Sequence, residues 1–197
     1  MRDRDVVGYE IDQGVFDRLV AVAERWGVQI AYDWNEPEGA RFIRTFTGRG
    51  ITLFPKYDSR FALFFTVAHL YGHMVQLTRT TDGMRRSIGF VYRRGTTLAE
   101  GEVQCIYDYE VEAAAIGRRL IAELGEVERA LDAHYSRMFL ADFHYLIDTI
   151  EGGRGGPESF ERFLRREPVP WRLIQPDPRP LVDLRVSPPE EIPITVL

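Results

Sequence analysis

The chain has 197 residues, of which 45% are hydrophobic and 12% aromatic, and this composition is typical of a globular domain with a substantial core. Its formal net charge of −5 gives no general attraction to nucleic acid or to anionic lipid. The single cysteine, Cys105, excludes a disulfide within the chain. No stretch approaches the ~20 apolar residues that a membrane helix needs, and the first residues lack the apolar segment of a signal peptide. We therefore expect a cytoplasmic protein that does not enter a membrane and does not bind nucleic acid directly.

The first quarter of the chain predicts a helix followed by short strands. Apolar residues recur at helical spacing over residues 12–26, and Gly27 is placed to end this helix. Residues 28–34 alternate like a strand. Residues 41–55 have the pattern of two short strands joined near Gly48–Gly50.

Helices dominate the middle of the chain. A second helix is expected to begin after Asp58 or Ser59, either of which can cap it, and to run to about Leu77. An irregular region then covers residues 78–101. Helical patterns follow over residues 102–124, 126–151 and, after a Gly-rich break, 158–167.

The end of the chain is rich in proline. The last 30 residues hold eight of the eleven prolines, so we expect this segment to run extended. The order of helix, small sheet and further helices predicts an α+β fold. We expect one domain over residues 1–151 and an appended segment over residues 152–197.

His69 and His73 lie four residues apart in the stretch "AHLYGH" of the second helix. Residues at this spacing share one helix face with Cβ atoms about 6 Å apart, so two imidazoles can converge on one zinc ion. The helix is otherwise strongly apolar, and a buried imidazole needs a polar partner. Gly72 costs the helix up to ~1 kcal/mol relative to alanine, which indicates close packing against this face. Two unrelated core histidines are the alternative interpretation.

A zinc site needs a third protein ligand, and Glu110 is the best candidate. If residues 102–124 are helical, the small residues three, four and seven positions after Glu110 form a stripe on its face. Such a stripe allows a close approach to the histidine helix. Glu112 points about 200° away around the helix and is expected to be solvated, while Asp108 is a weaker alternative ligand.

Three separated stretches together resemble the ImmA/IrrE family of metallopeptidases, a cytoplasmic branch of the zincins. "LVAVAERWGVQIAY" is similar to the opening helix and first strand of that family, and "GRGITLFPKYDSRFALFFTVAHLYGHMVQL" to its strand, loop and H-E-x-x-H helix. "YEVEAAAIGRRLIAEL" is similar to the helix that carries the third zinc ligand. The resemblance covers roughly residues 15–125. It implies a zincin-like fold, one zinc ion bound by His69, His73 and Glu110, and a repressor-like protein as the ancestral substrate or partner.

Two positions depart from the family pattern. Leu70 stands where the family has its catalytic glutamate, which acts as the general base and which leucine cannot replace. Ala114 stands where the family often has an Asn or Asp that orients a zinc histidine. Tyr71 is a weak candidate base because a tyrosine has a pKa of about 10. Other candidates that could approach from elsewhere are Glu102, Asp108, His134 and His144, and a structural role is favoured for both of these histidines.

Three further features remain open in the sequence. A basic stretch could be a flap near the cleft that grips an acidic peptide, a phosphate or a nucleic-acid backbone, although a solvated loop is favoured. Its residues are Arg85, Arg86, Arg93 and Arg94. Cys105 could be a thiolate ligand, but a small buried core residue is favoured. The C-terminal "IPITVL" could cover a groove of its own domain, which is favoured, or add a strand to a partner.

These features favour a zincin-fold pseudo-peptidase. Such a protein would keep its single zinc site and act by binding a partner protein or peptide, in a regulatory or assembly role that could involve the C-terminal tail. An active zinc-dependent hydrolase with a non-standard general base is the alternative function.

Overall fold

The computed structural model describes residues 10–34, 45–47, 50–55, 59–79, 89, 95–125, 129–152 and 173–186. Within these ranges lie four α-helices: α1 (Gln13–Arg25), α2 (Arg60–Leu77), α3 (Glu100–Ala122) and α4 (Arg129–Ile150). The same ranges hold three short strands: β1 (Gln29–Tyr32), β2 (Thr45–Thr47) and β3 (Gly50–Leu53). A 3-10 helix, Leu181–Leu184, lies near the C-terminus. The α+β class is confirmed, and helices make up most of it.

The three strands form one sheet in the order β1-β3-β2. β1 runs parallel to β3, with Ile30 opposite Ile51, and β2 runs antiparallel to β3, with Phe46 opposite Ile51. Ile51 and Leu53 are buried, so alternate residues of the central strand face the core. The two predicted strand regions are therefore confirmed. Along the chain, β3 is the strand that precedes the histidine helix.

Local signals fix both ends of α1. The Asp12 carboxylate accepts a hydrogen bond from the Gly14 N–H at 2.8 Å, which caps the first turn. Gly27 has a φ of 99°, a left-handed conformation that glycine adopts without strain and that ends helices. The buried face of the helix consists of Phe16, Leu19, Val22 and Ala23.

Helix α2 runs through the centre of the molecule. Ser59 is its N-cap, since the Ser59 hydroxyl accepts from the Ala62 N–H at 3.1 Å. Almost every residue from Phe61 to Gln76 is buried, as expected of a helix that is apolar all round. A polar side chain between Phe61 and Gln76 is therefore held away from water.

Helices α2 and α3 cross with their backbones in contact. A Cβ atom added at Gly72 of α2 would collide with the main-chain carbonyl of Ala113, and one added at Gly117 of α3 would collide with the carbonyl of Ala68. Each helix thus supplies one glycine to the crossing. The predicted close approach at Gly72 and at the small-residue stripe of α3 is confirmed.

The segment of residues 173–186, here called the C-terminal strap, packs on the helices. Leu181, Leu184 and Val186 are buried in the same core as the helices. Main-chain N–H groups of the strap donate to three helices or their ends: Ile174 to the Ser136 hydroxyl at 2.9 Å, Asp177 to the Ala115 carbonyl at 2.9 Å and Val186 to the Trp26 carbonyl at 3.0 Å.

The prediction that the whole tail runs extended is wrong for residues 181–184. These four residues contain no proline, and the Asp183 N–H donates to the Pro180 carbonyl at 3.0 Å to form the 3-10 turn. The turn also buries both leucines of "LVDL", which an extended chain would place on opposite faces. The predicted helix over residues 158–167 and the C-terminal "IPITVL" lie outside the described residues.

None of the helices in the described ranges combines the length and the apolar character that a membrane span requires.

Replacing Gly72 with alanine is expected to lower the free energy of unfolding by about 1–3 kcal/mol or more, because main-chain atoms must move apart. Gly101 provides the control, since it is helical and exposed and a Cβ there would meet nothing within 4 Å. Gly101→Ala should leave stability unchanged or raise it by up to about 1 kcal/mol. Urea denaturation measures both variants, and equal stabilities would contradict the close crossing.

Candidate metal centre

The structure brings His69, His73 and Glu110 together in the interior. The Nε2 atoms of the two histidines lie 3.1 Å apart, and each lies 3.1 Å from the same oxygen, Oε2 of Glu110. The three residues are only 4%, 7% and 7% exposed. Within the described ranges they are the one group of three His, Cys, Asp or Glu side chains that could hold a metal ion.

The helix crossing produces this arrangement. His69 and His73 lie one turn apart on the buried α2, so their rings project in the same direction. Glu110 lies one turn before Ala113, the residue whose carbonyl touches Gly72. The contact between Gly72 and Ala113 therefore sets the distance from the carboxylate to both imidazoles.

The dimensions and the donor atoms fit zinc. A tetrahedral zinc ion with bonds of about 2.0–2.1 Å separates its ligand atoms by about 3.3 Å, close to the 3.1 Å observed here. Two imidazoles and one carboxylate form a donor set that zinc accepts, and three protein ligands leave a fourth position open. The three residues could thus hold a metal ion, and the identity of the metal belongs to the proposal below.

Charges within the cluster oppose the effect of burial. Burial by itself raises the pKa of Glu110, but the neighbouring His73 charge and the hydrogen bonds from both histidines hold it well below its usual range. Burial lowers the pKa of His73, yet the charge of Glu110 and the hydrogen bonds with Glu110 and Gln76 outweigh burial and raise it. For His69 burial dominates, and its pKa is lowered. Without a metal, this arrangement favours the ionised form of Glu110 and the protonated form of His73, and it disfavours the protonated form of His69.

Gln76 orients the ring of His73. The Gln76 side-chain nitrogen faces the Tyr109 carbonyl at 2.8 Å and a Glu112 carboxylate oxygen at 3.1 Å, and neither of these groups can donate. The amide oxygen of Gln76 must then face Nδ1 of His73, at 3.0 Å. Because an amide oxygen only accepts, Nδ1 of His73 carries the hydrogen, and in the neutral ring Nε2 keeps its lone pair for a metal.

His69 is held by aromatic packing instead. Its ring stacks on Phe65 with centroids 5.2 Å apart, and it meets Phe139 of α4 at 6.2 Å. Its Nδ1 atom is buried and has no hydrogen-bond partner among the described residues. Ala114 stands at the position where the resemblance implies an Asn or Asp that would orient a histidine. Its side chain offers no hydrogen bond to His69, and its main-chain carbonyl accepts from the Tyr135 hydroxyl at 3.0 Å.

Neither residue that follows His69 supplies a base to the cluster. Leu70 is buried, with 6% of its surface exposed, and carries no proton-accepting group. The Tyr71 hydroxyl donates to the Leu184 carbonyl of the strap at 2.8 Å. Burial raises the pKa of Tyr71, although Arg79 opposes this, so its hydroxyl is a poor base at neutral pH. Its hydrogen bond to Leu184 instead holds the strap against α2.

The other candidate residues lie outside the metal-ligating group. Glu102 accepts from the Ala99 N–H at 3.0 Å at the start of α3, and Asp108 is exposed and accepts from Gln104 at 2.7 Å. His134 packs edge-on against Phe61 with centroids 6.0 Å apart, and His144 is exposed. The basic residues Arg85, Arg86, Arg93 and Arg94 lie outside the described residues.

One expectation about α3 is wrong, and a second holds only in part. Cys105 is exposed and not a core residue, because the buried face of α3 follows Ile106, Glu110 and Ala113. Glu112 is only partly solvated, since Gln76 and Arg179 both reach its carboxylate. Helical spacing predicts correctly on which side of α3 each residue lies. It does not show which side chains of α2 or of the strap pack against that side.

Sequence reasoning also missed Gln76 and Asp142. Gln76 lies three residues after His73, a spacing that puts both on one helix face and could have identified it. Asp142 on α4 acts on both imidazoles, where its negative charge favours the protonated form, although burial and Glu110 have larger effects. Nothing in the sequence indicates that α4 lies beside the cluster.

The chain matches no protein-family model, no curated protein and no solved structure in the comparisons with known proteins. The likeness to the ImmA/IrrE family therefore depends on the three sequence stretches alone and stays a prediction.

The affinity for zinc is expected to fall as the pH falls. A protonated His73 cannot bind metal, and its raised pKa means that protons begin to compete at a higher pH than for an ordinary histidine of pKa about 6.5. Below the pKa of His73 the affinity should drop by up to about tenfold per pH unit, and above it the affinity should level off. Chelator competition between about pH 5 and pH 8 measures this. A flat profile would contradict the assignment of His73 as a ligand, while the exposed His144→Gln control should keep the wild-type profile.

Proposed function

We propose that this chain is a zincin-type protein that binds one zinc ion, has lost peptidase chemistry and acts by binding a partner protein or peptide. The observation that carries the proposal is the compact triangle of His69, His73 and Glu110 beside a buried leucine at the position of the general base. A pseudo-peptidase would retain a complete set of metal ligands and would lack the general base.

The architecture supports the zincin assignment without depending on any single motif. A small mixed sheet precedes a central helix with two histidines one turn apart. A second helix, packed backbone to backbone against the first, supplies the carboxylate. These elements occur in the order that the resemblance implies, and they bring the three matching residues into contact distance.

Zinc at this position would stabilise the crossing of the two central helices. Metal binding that requires a folded site adds directly to folding stability. In the absence of a general base, the rate of peptide hydrolysis is reduced by a factor of about 10²–10⁴. A protein with such a site would therefore keep a metal-stabilised fold while turning over little or no substrate.

Restoring the glutamate tests whether only the base is missing. Leu70→Glu should gain zinc-dependent cleavage of an unstructured protein such as casein, at a rate about 10²–10⁴ times that of the wild type. Leu70→Gln is the matched control, because it buries a similar polar side chain without a proton-accepting carboxylate. The gain should disappear when His73→Ala is added to Leu70→Glu.

The result that would contradict the proposal is zinc-dependent cleavage of casein by the wild type at a rate equal to that of Leu70→Glu. Thermal unfolding of each variant shows whether the buried substitution has left the fold intact.

One observation favours the alternative of an active hydrolase. Phe139 of α4 meets the ring of His69 at 6.2 Å, and the negative charge of Asp142 on the same helix favours the protonated form of both imidazoles. Asp142 is therefore the residue to test as a base in this alternative. If the wild type cleaves casein, Asp142→Asn should lower the rate by about 10²–10⁴-fold and leave zinc affinity nearly unchanged. The exposed Asp108→Asn is its control. An unchanged rate in Asp142→Asn would exclude Asp142 as the base.

A further inference from the structure

An unbroken series of polar contacts runs from the C-terminal strap to His73. Asp177 and Arg179 of the strap are paired, with Arg179 Nε donating to Asp177 Oδ1 at 2.8 Å. Arg179 also donates to one oxygen of Glu112 at 3.3 Å, and Gln76 donates to the other oxygen at 3.1 Å. The amide oxygen of Gln76 then accepts from His73 at 3.0 Å.

Each contact in this series is directional. The Arg179 guanidinium and the Gln76 amide nitrogen can only donate, and the carboxylate of Glu112 can only accept. Glu112 therefore receives a hydrogen bond on each of its oxygens, one from the strap and one from α2. Two acceptors fix the orientation of the Gln76 amide, and with it the hydrogen on Nδ1 of His73. They are the Tyr109 carbonyl at 2.8 Å and the Glu112 carboxylate at 3.1 Å, and only Glu112 is in contact with Arg179 of the strap.

The strap is anchored to the helices that carry the metal ligands. The Asp177 N–H donates to the Ala115 carbonyl of α3 at 2.9 Å, so Arg179 is delivered close to Glu112. The Leu184 carbonyl accepts from Tyr71 of α2 at 2.8 Å, and Tyr71 lies between the two histidines in the chain. A strap that leaves the surface would lose both anchors together with the contact to Glu112.

We propose that Gln76, Glu112 and Arg179 are positioning residues for the metal site, and that zinc affinity is coupled to seating of the C-terminal strap. The inference rests on the proposed zinc site. Through Glu112 and Gln76 the seated strap adds to the Tyr109 contact in holding His73 in the tautomer whose Nε2 can bind metal. Coupling between two sites is reciprocal, so bound zinc must in turn hold the strap in place.

The expected loss of zinc affinity in each variant depends on how exposed the substituted side chain is to solvent. Loss of a residue that directly orients a metal-binding histidine typically lowers metal affinity about 10–100-fold. Gln76 is buried and contacts His73 directly, so Gln76→Met should fall in that range. The side chains of Arg179 and Glu112 are 35% and 41% exposed, and solvent weakens their pairing. Arg179→Met should therefore lower zinc affinity by a smaller factor, about 3–10-fold.

The first experiment compares zinc dissociation constants of the full chain by chelator competition. Arg185→Met is the matched control, because Arg185 is exposed on the same strap and takes no part in the series of contacts. Glu112→Gln keeps an oxygen that can accept from Gln76 and should retain more of the affinity than Glu112→Leu. In the zinc-loaded protein, nitrogen NMR should find Nδ1 of His73 protonated, and Gln76→Met should weaken this preference.

The second experiment measures the reciprocal effect on the strap. Zinc should slow hydrogen exchange at the Asp177 and Val186 amides, which bond to Ala115 and Trp26, and the slowing should shrink in Arg179→Met. Equal zinc affinity in Arg179→Met and Arg185→Met, with exchange insensitive to zinc, would overturn the inference and leave the zinc site intact. Failure of the wild type to bind zinc would overturn both the inference and the proposed function.

Discussion

The close crossing of α2 and α3 is the constraint on which the rest of the structure depends. Gly72 and Gly117 leave room for the carbonyls of Ala113 and Ala68, so the two backbones touch. Side chains that project beside such a contact lie close to one another. The carboxylate of Glu110 and the imidazoles of His69 and His73 consequently meet within 3.1 Å in a region from which water is almost excluded.

Such a cluster needs a positive charge at its centre. A buried carboxylate is unstable without a charged or hydrogen-bonded partner, and the two imidazoles can supply only a proton. The raised pKa of His73 and the lowered pKa of Glu110 describe that proton-bearing arrangement. A divalent cation would supply that charge and would use all three donor atoms at once.

The sequence allowed a good prediction that His69, His73 and Glu110 lie together, because the relevant information is local. Two histidines four residues apart on an apolar helix predict convergent rings, and a stripe of small residues after Glu110 predicts a close neighbour. The helices and strands in the described ranges follow from capping residues, glycines and apolar periodicity, and most of their bounds lie within two residues of the structure.

Features that depend on how separate elements meet were not predictable in the same way. The exposure of Cys105 and the engagement of Glu112 depend on which sides of α3 face α2 and the strap. The charge of Asp142 beside the histidines depends on the docking of α4. The turn at Leu181–Leu184 depends on a core that only the assembled helices provide. A prediction from proline content treats the tail as an isolated chain and takes no account of its packing against this core.

The most direct test of the account is the metal content of the protein purified without added metal, measured by elemental mass spectrometry beside His69→Ala, His73→Ala and Glu110→Ala. The account predicts about one zinc ion per chain in the wild type and a loss of zinc in each variant, with the exposed His144→Ala retaining the wild-type content. Absence of metal from the wild type, even after zinc is added, would contradict it, and the two histidines and Glu110 would then be a buried ion-pair cluster of the core.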